Sequence, residues 1–141
     1  MALKVFVDTD VAISSFISQT GAAYLLLNQT EQLDLCVSNI SAQEIDKVAK
    51  RLHLDTEKAK SLIHKRFSVV QIKETAKDIQ SIFDEYVLDP NDAHIVAGAK
   101  TAHAQFLISY NTRHFKADAL KADFNIIITT PANLLQYLRS K

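Results

Sequence analysis

Apolar residues recur along this chain with a spacing that switches between two and three-to-four, and each switch marks an element. The apolar run over residues 3–7, Leu-Lys-Val-Phe-Val, reads as a strand. Helices follow over 11–18 and 21–28, the second with Ala23, Leu26 and Leu27 on one face. A second apolar strand covers 33–37. The helix over 41–52 turns Ile45, Val48 and Leu52 to one side, and a further helix covers 56–66. The stretch 68–72 is β-branched enough to be a strand. Ile79, Ile82, Phe83 and Tyr86 stand at helical spacing within 75–86. Asp89-Pro90 starts a helix that runs to about His103, with proline at the first helical position, where its missing N–H costs nothing. Strands over 106–109 and 125–129 follow, and Thr130-Pro131 opens a last helix through Leu134, Leu135 and Leu138.

Strands alternating with helices predict an α/β fold, a three-layer α/β/α sandwich around a mainly parallel central sheet. In such sheets function collects at the carboxyl ends of the strands. With 141 residues, 48% of them hydrophobic, and only two Gly and two Pro, one domain over 1–141 with short connections is expected. The single cysteine, Cys36, lies in an apolar stretch without a partner, which predicts a buried thiol, no disulfide and a reducing, cytoplasmic setting. No apolar run approaches the roughly 18 residues that a membrane span requires, so no membrane partner is expected.

Sixteen basic and sixteen acidic side chains give a net charge of zero, so bulk electrostatics select no partner. Their distribution says more. Residues 47–66 carry Lys47, Lys50, Arg51, Lys58, Lys60, Lys65 and Arg66 against only Asp55 and Glu57, whereas 78–92 are acidic with no Lys or Arg. That polarity suits a polyanion held by one part and a cation by another, although two solvated helix faces would give the same pattern.

The carboxylates carry the chemistry. Asp8 and Asp10 stand where the first strand ends, flanked by apolar sequence, and a charge there needs a cation or a cap. The strand over 106–109 exits at Asn111 on the same sheet edge, and Glu44 and Asp92 lie in the first turns of helices that follow strand exits. Four separate parts of the chain thus offer Asp8, Glu44, Asp92 and Asn111 to one place. Hard oxygen ligands of this kind suit Mg²⁺ or Mn²⁺. The five histidines show no paired ligand spacing and read as structural or exposed. Each acid also has a plainer use. Ser41-Ala-Gln-Glu44 is a capping box, Asp89 caps the helix that carries Asp92, and Asp10 caps a helix beginning at Val11. If Asp8, Glu44 and Asp92 converge, two charges about 4 Å apart repel by roughly 4 kcal/mol at an effective dielectric near 20, which a cation relieves.

At these residues the chain resembles the PIN-domain family of metal-dependent nucleases, which includes VapC-type toxins of bacterial toxin–antitoxin pairs. Val5-Phe-Val-Asp8-Thr-Asp10 is similar to the family's opening strand and Asp-Thr-Asn. Ser38-Asn-Ile-Ser-Ala-Gln-Glu44 resembles its second motif, Asp89-Pro-Asn-Asp92-Ala-His-Ile-Val-Ala-Gly-Ala its third, and Phe106-Leu-Ile-Ser-Tyr-Asn111-Thr-Arg its fourth. The motifs occur in the family's order over nearly the whole chain. Two positions depart from the pattern: Asn111 stands where many members have an acid, and Asp10 where most have Asn.

The resemblance implies that Asp8, Glu44 and Asp92 are the metal-binding carboxylates, with Asn111 completing the catalytic set and Asp10, Asp89 and Ser109 supporting. It implies a Mg²⁺- or Mn²⁺-dependent endoribonuclease, the toxin of a toxin–antitoxin pair, whose partners are single-stranded or structured RNA, a cognate antitoxin and a second copy in a homodimer. Lys47, Lys50, Arg51 and Arg113 are candidates to hold the RNA backbone, and Tyr24, Tyr110 and Phe115 to meet bases, with core packing the better reading of Phe115. Apolar residues over 21–28 and 54–67 suit a homodimer or an antitoxin groove, and ordinary core packing explains them equally. Two alternatives stand beside this reading: an RNA-binding or interaction domain without turnover, and a haloacid-dehalogenase-type phosphatase using Asp8-Thr-Asp10 as its Asp-x-Asp motif.

Overall fold

A computed structural model describes residues 2–28 and 32–140. Along them run β1 (Leu3–Val7), α1 (Thr9–Ile17), α2 (Ala22–Leu27), β2 (Leu33–Ser38), α3 (Asn39–Arg51), α4 (Thr56–Arg66), β3 (Ser68–Val70), α5 (Ala76–Phe83), α6 (Ala93–Thr101), β4 (Phe106–Ile108), α7 (Ala117–Phe124), β5 (Ile127–Thr129) and α8 (Pro131–Arg139). Short 3-10 turns occupy Asp84–Tyr86, Pro90–Asp92 and Thr112–His114. The strands form one sheet in the order β3-β2-β1-β4-β5, and every pairing between them is parallel. No described helix is long and apolar enough to cross a membrane.

The central strand explains the layering. Val5, Phe6 and Val7 are all fully buried, as expected of a strand covered on both faces. Because successive side chains point to opposite faces, Phe6 joins Cys36, Leu107, Ile95 and Ile79 on one side, while Val5 and Val7 join Leu35, Val37, Ile45 and Ile108 on the other. The three-layer α/β/α expectation is met. Cys36 is buried, and burial, reinforced by the charge of Asp34, pushes its thiol pKa up to about 11.

Several element limits differ from the sequence reading, each for a local reason. The strand expected over 68–72 stops at Val70, because Asn39 at the start of α3 takes both main-chain groups of Ile72: Nδ2 donates to its carbonyl (3.2 Å) and Oδ1 accepts from its N–H (2.8 Å). The helix expected over 75–86 ends at Phe83 and tightens into a 3-10 turn. Helix α7 has no counterpart in the sequence reading. Leu120 is its one buried side chain, so it lacks an apolar stripe, and it ends on Asn125 in the left-handed region (φ 55°). In the apolar segment 54–67, Ile63 and Phe67 turn inward, while Leu25 is the exposed large apolar residue of α2.

Candidate active site

The strand order reverses between β1 and β4, the switch point at which a doubly covered parallel sheet opens a crevice beyond its carboxyl ends. Asp8 is the first residue past β1, and its N–H still bonds the Ile108 carbonyl of β4 (3.0 Å). Its Oδ1 accepts from the Thr9 N–H (2.8 Å), so Asp8 caps α1, which begins two residues earlier than expected. The cap assigned to Asp10 is thereby corrected: Asp10 lies in the helix's first turn. From β4, the buried Ser109 hydroxyl donates to Asp8 Oδ2 at 2.7 Å and accepts the Asn111 N–H at 3.0 Å. Asn111 Nδ2 in turn donates to Asp10 Oδ2 (3.2 Å).

Glu44 arrives from the other flank. The capping box expected at Ser41 and Glu44 does not form, because α3 begins at Asn39 and its cap is Ser38, whose hydroxyl accepts the Ser41 N–H (3.0 Å). Glu44 therefore sits in the second turn of α3, free of capping. Its Oε1 accepts from Thr9 Oγ1 (3.0 Å) and lies 3.1 Å from His94 Nε2. Asp89 does cap, accepting the Asn91 N–H (3.0 Å), and the 3-10 turn it starts ends on Asp92. Asp92 Oδ2 stands 3.8 Å from His114 Nδ1.

These groups line one pocket of about 600 Å³. Asp8, Asp10, Glu44, Asp89, Asp92 and Asn111 form its polar wall, and Ile13, Ile17 and Val48 continue it as an apolar groove. These six residues all come from the sequence reading, and Ser109 bonds Asp8 from beneath. None of Lys47, Lys50, Arg51 and Arg113 lines the pocket: Lys50 pairs with Asp46 at 3.1 Å around α3, and Arg113 borders a shallow site near the end of β5. The sequence reading passed over Thr9, His94 and His114, which all line the pocket. His94 carried a usable signal, as a polar residue in the first turn of a helix otherwise buried nearly all round.

The sequence matches the family described as PIN domain over residues 4–113. The chain belongs to the PIN domain family. Solved structures of similar shape agree with the fold of this PIN domain. One is VapBC2 from Rickettsia felis bound to a DNA fragment from its promoter (TM-score 0.64, 12% identity, covering 91% of this chain and 98% of that one). Another is a toxin–antitoxin complex from Klebsiella pneumoniae (TM-score 0.62, 22% identity, 90% and 97%). A third is VapC20 of Mycobacterium tuberculosis, a toxin that cleaves the sarcin–ricin loop (TM-score 0.58, 18% identity, 85% and 95%). No curated protein matches the sequence significantly. The family match sets aside the phosphatase alternative, whose likeness was confined to Asp8-Thr-Asp10.

Electrostatically, the acids of this PIN domain are in conflict. Burial, then the charge of Asp10, pushes Asp8 up to a pKa of about 6, against the hydrogen bonds from Ser109 and Thr9. Burial raises Asp10, against backbone hydrogen bonds from Val11 and Tyr110 and with the charge of Asp92 adding to the rise, and burial with the charges of Asp8 and Asp89 raises Asp92. Glu44 goes the other way: burial would raise it, but the hydrogen bond and charge of His94, with Thr9, outweigh that and lower it. Asp10 Oδ1 is buried and meets no close, well-aligned hydrogen-bond donor among the described residues. Mutually destabilising carboxylates with an orphaned oxygen are the donor set and field that a hard divalent cation satisfies. As placed, no three His, Cys, Asp or Glu side chains among the described residues stand close enough to hold one. The donor chemistry fits, and the carboxylates would have to draw inward on binding.

Linkage turns these shifts into a test. Asp8 binds its proton more tightly folded than unfolded, so its contribution to stability is fully present below pH 4 and is lost as pH rises through about 6. Asp10 and Asp92 act in the same direction and Glu44 in the opposite one. In chelator at pH 7, Asp8→Asn is expected to unfold at a higher temperature than the parent, by the equivalent of about 3 kcal/mol, with the advantage gone at pH 4. Equal melting of the two proteins at pH 7 would show that Asp8 is not under strain.

Proposed function

We propose that this PIN domain is a divalent-metal-dependent endoribonuclease and the toxin of a toxin–antitoxin pair. The observation that carries the reading is the convergence of Asp8, Glu44 and Asp92, from three separate elements, on one pocket at the switch point of the sheet. Asp8, Glu44 and Asp92 would hold Mg²⁺ or Mn²⁺. The cation supplies the positive charge that makes a water nucleophilic near neutral pH and offsets charge growing on the phosphate. The chain's own residues do the positioning. Ser109 fixes Asp8, Asn111 fixes Asp10, and Thr9 and His94 clamp one oxygen of Glu44, leaving Oε2 without a protein partner among the described residues. Hydrolysis by water needs no covalent enzyme nucleophile. Lys47, Lys50, Arg51 and Arg113, outside the pocket, would hold the RNA backbone on its approach.

The whole chain acts as one domain in this reading, cytoplasmic and paired with an antitoxin, as in the similar toxin–antitoxin complexes. The groove of Ile13, Ile17 and Val48 leading away from the acids suits an apolar antitoxin segment whose basic side chain reaches the carboxylates, and exposed Leu25 and Leu52 suit a homodimer. A second reading, RNA binding without turnover, draws on Asn111, which brings a neutral group and gives its amide N–H to Asp10.

The deciding experiment incubates purified protein, freed of any antitoxin, with single-stranded and structured RNAs in Mg²⁺, in Mn²⁺ and in chelator, beside Asp92→Asn. Cutting that needs metal and vanishes in a folded Asp92→Asn protein is expected. RNA that stays bound but uncut in every metal would replace the nuclease with the binding domain.

A further inference from the structure

Around α3 from the carboxylates, a second cavity of about 760 Å³ opens between α3, α4 and the edge strand β3. Its floor is apolar, made by Ile63 of α4 and Phe67 just past its end, both buried, and the half-buried Val69. Lys47 and Lys50 of α3 and Lys60 of α4 form its rim. Asp46 is the one carboxylate among the described lining residues: its Oδ2 lies 3.1 Å from Lys50, while its buried Oδ1 makes no hydrogen bond and stands 4.0 Å from Lys60. The lining is net positive. Gln43 and Gln71 stand exposed at the rim, and their side chains make no hydrogen bond among the described residues.

We propose that this groove holds a nucleotide of the same RNA strand that is cut at the carboxylates, with Lys50 and Lys60 on its phosphate and Gln43 and Gln71 beside its base. The assignment rests on the nuclease reading for the position of the cut. Three observations carry it. An apolar floor with an aromatic side chain beneath a cationic rim is the combination that binds single-stranded nucleic acid, the base lying over the floor and the backbone on the rim. The groove and the carboxylate pocket lie on neighbouring sides of α3 without sharing a lining residue: Lys47 of the groove follows Glu44 of the pocket by three residues, the spacing of neighbours on a helix surface. Lys50 and Lys60 are also free to turn: they are 63% and 52% exposed, and surface pairs of this kind hold loosely. An acidic peptide would satisfy the lysines but place charged side chains over an apolar floor. The two glutamines, carrying both donors and acceptors, are placed to distinguish base edges.

The test measures binding of fluorescein-labelled single-stranded RNA of about 12 nucleotides, as oligo-A, oligo-C and oligo-U, in chelator so that nothing is cut. Lys60→Glu is compared with Lys121→Glu, which makes the same change of charge on α7, against the opposite edge strand β5. Lys60→Glu is expected to weaken binding about tenfold and to flatten its salt dependence by about one counterion, with Lys121→Glu within about twofold of the parent. Gln71→Ala is expected to change the order of preference among the three oligomers. Equal losses in the two charge reversals would reduce the effect to bulk charge and overturn the proposal. So would a parent that cuts RNA alongside a Lys60→Glu protein that binds and cuts as well, a result that leaves the nuclease reading standing. Labelled poly-glutamate that binds the parent, fails on Lys60→Glu and displaces RNA would reassign the groove to an acidic protein partner.

Discussion

Asp8→Asn is expected to lower RNA cleavage by at least about a hundredfold while leaving the protein folded and RNA bound. The side chain keeps its size, and the remaining oxygen can still accept the Thr9 N–H that caps α1. Ser109 can reverse its hydroxyl to accept from the new amide. What disappears is one negative charge at the centre of the carboxylate group, and with it a large part of the attraction for a divalent cation. The same substitution relieves the strain of a buried acid with a pKa of about 6, so activity and metal-free stability should move in opposite directions. Cleavage rates with Mn²⁺ and melting curves in chelator on one protein preparation check both halves. A variant that loses activity and stability together would make Asp8 a structural cap and nothing more.

Gly98→Ala is expected to destabilise the fold by about 3 kcal/mol, lowering the melting temperature on the order of 10 °C. In most helix interiors this exchange stabilises by up to about 1 kcal/mol, because alanine is the better helix former. Here α6 lies against the centre of the sheet, and a Cβ on Gly98 would fall 2.6 Å from Cε2 of Phe6 and closer still to Cζ. Phe6 is fully buried between Cys36 and Leu107 on the central strand and has nowhere to retreat. Pairing the change with Phe6→Leu should recover part of the loss. Thermal denaturation of the two single variants and the double variant measures the coupling. Additive losses would mean that the ring and the glycine do not meet.

The frame of this fold was legible because its central strands β1, β2 and β4 are short apolar runs largely buried on both faces, which few other arrangements produce. The carboxylates were legible because strand exits and helix starts share one sheet edge. What misled were residues with two plausible local uses. Ser41 and Glu44 have capping-box spacing, but Ser38 is better placed to cap, which releases Glu44 to meet Thr9 and His94. Asp8, a charge that at the end of its strand needs a cation or a cap, itself caps α1 and also forms part of the pocket wall. His94 and His114 were passed over because their partners, Glu44 and Asp92, come from other elements, and spacing along one segment cannot show that. Helix α7 escaped because it buries almost nothing.

The hydrogen bond from Ser109 to Asp8 spans 101 positions of the chain. Pairing of β1 with β4 carries the same large separation, the kind of contact that closes late because its loop entropy must be overcome first. A growing polypeptide therefore displays Asp8 and Glu44 long before the strand that completes their pocket has been made. On the ribosome the pocket stays incomplete until the segment that carries Ser109 and Asn111 has emerged and paired with β1.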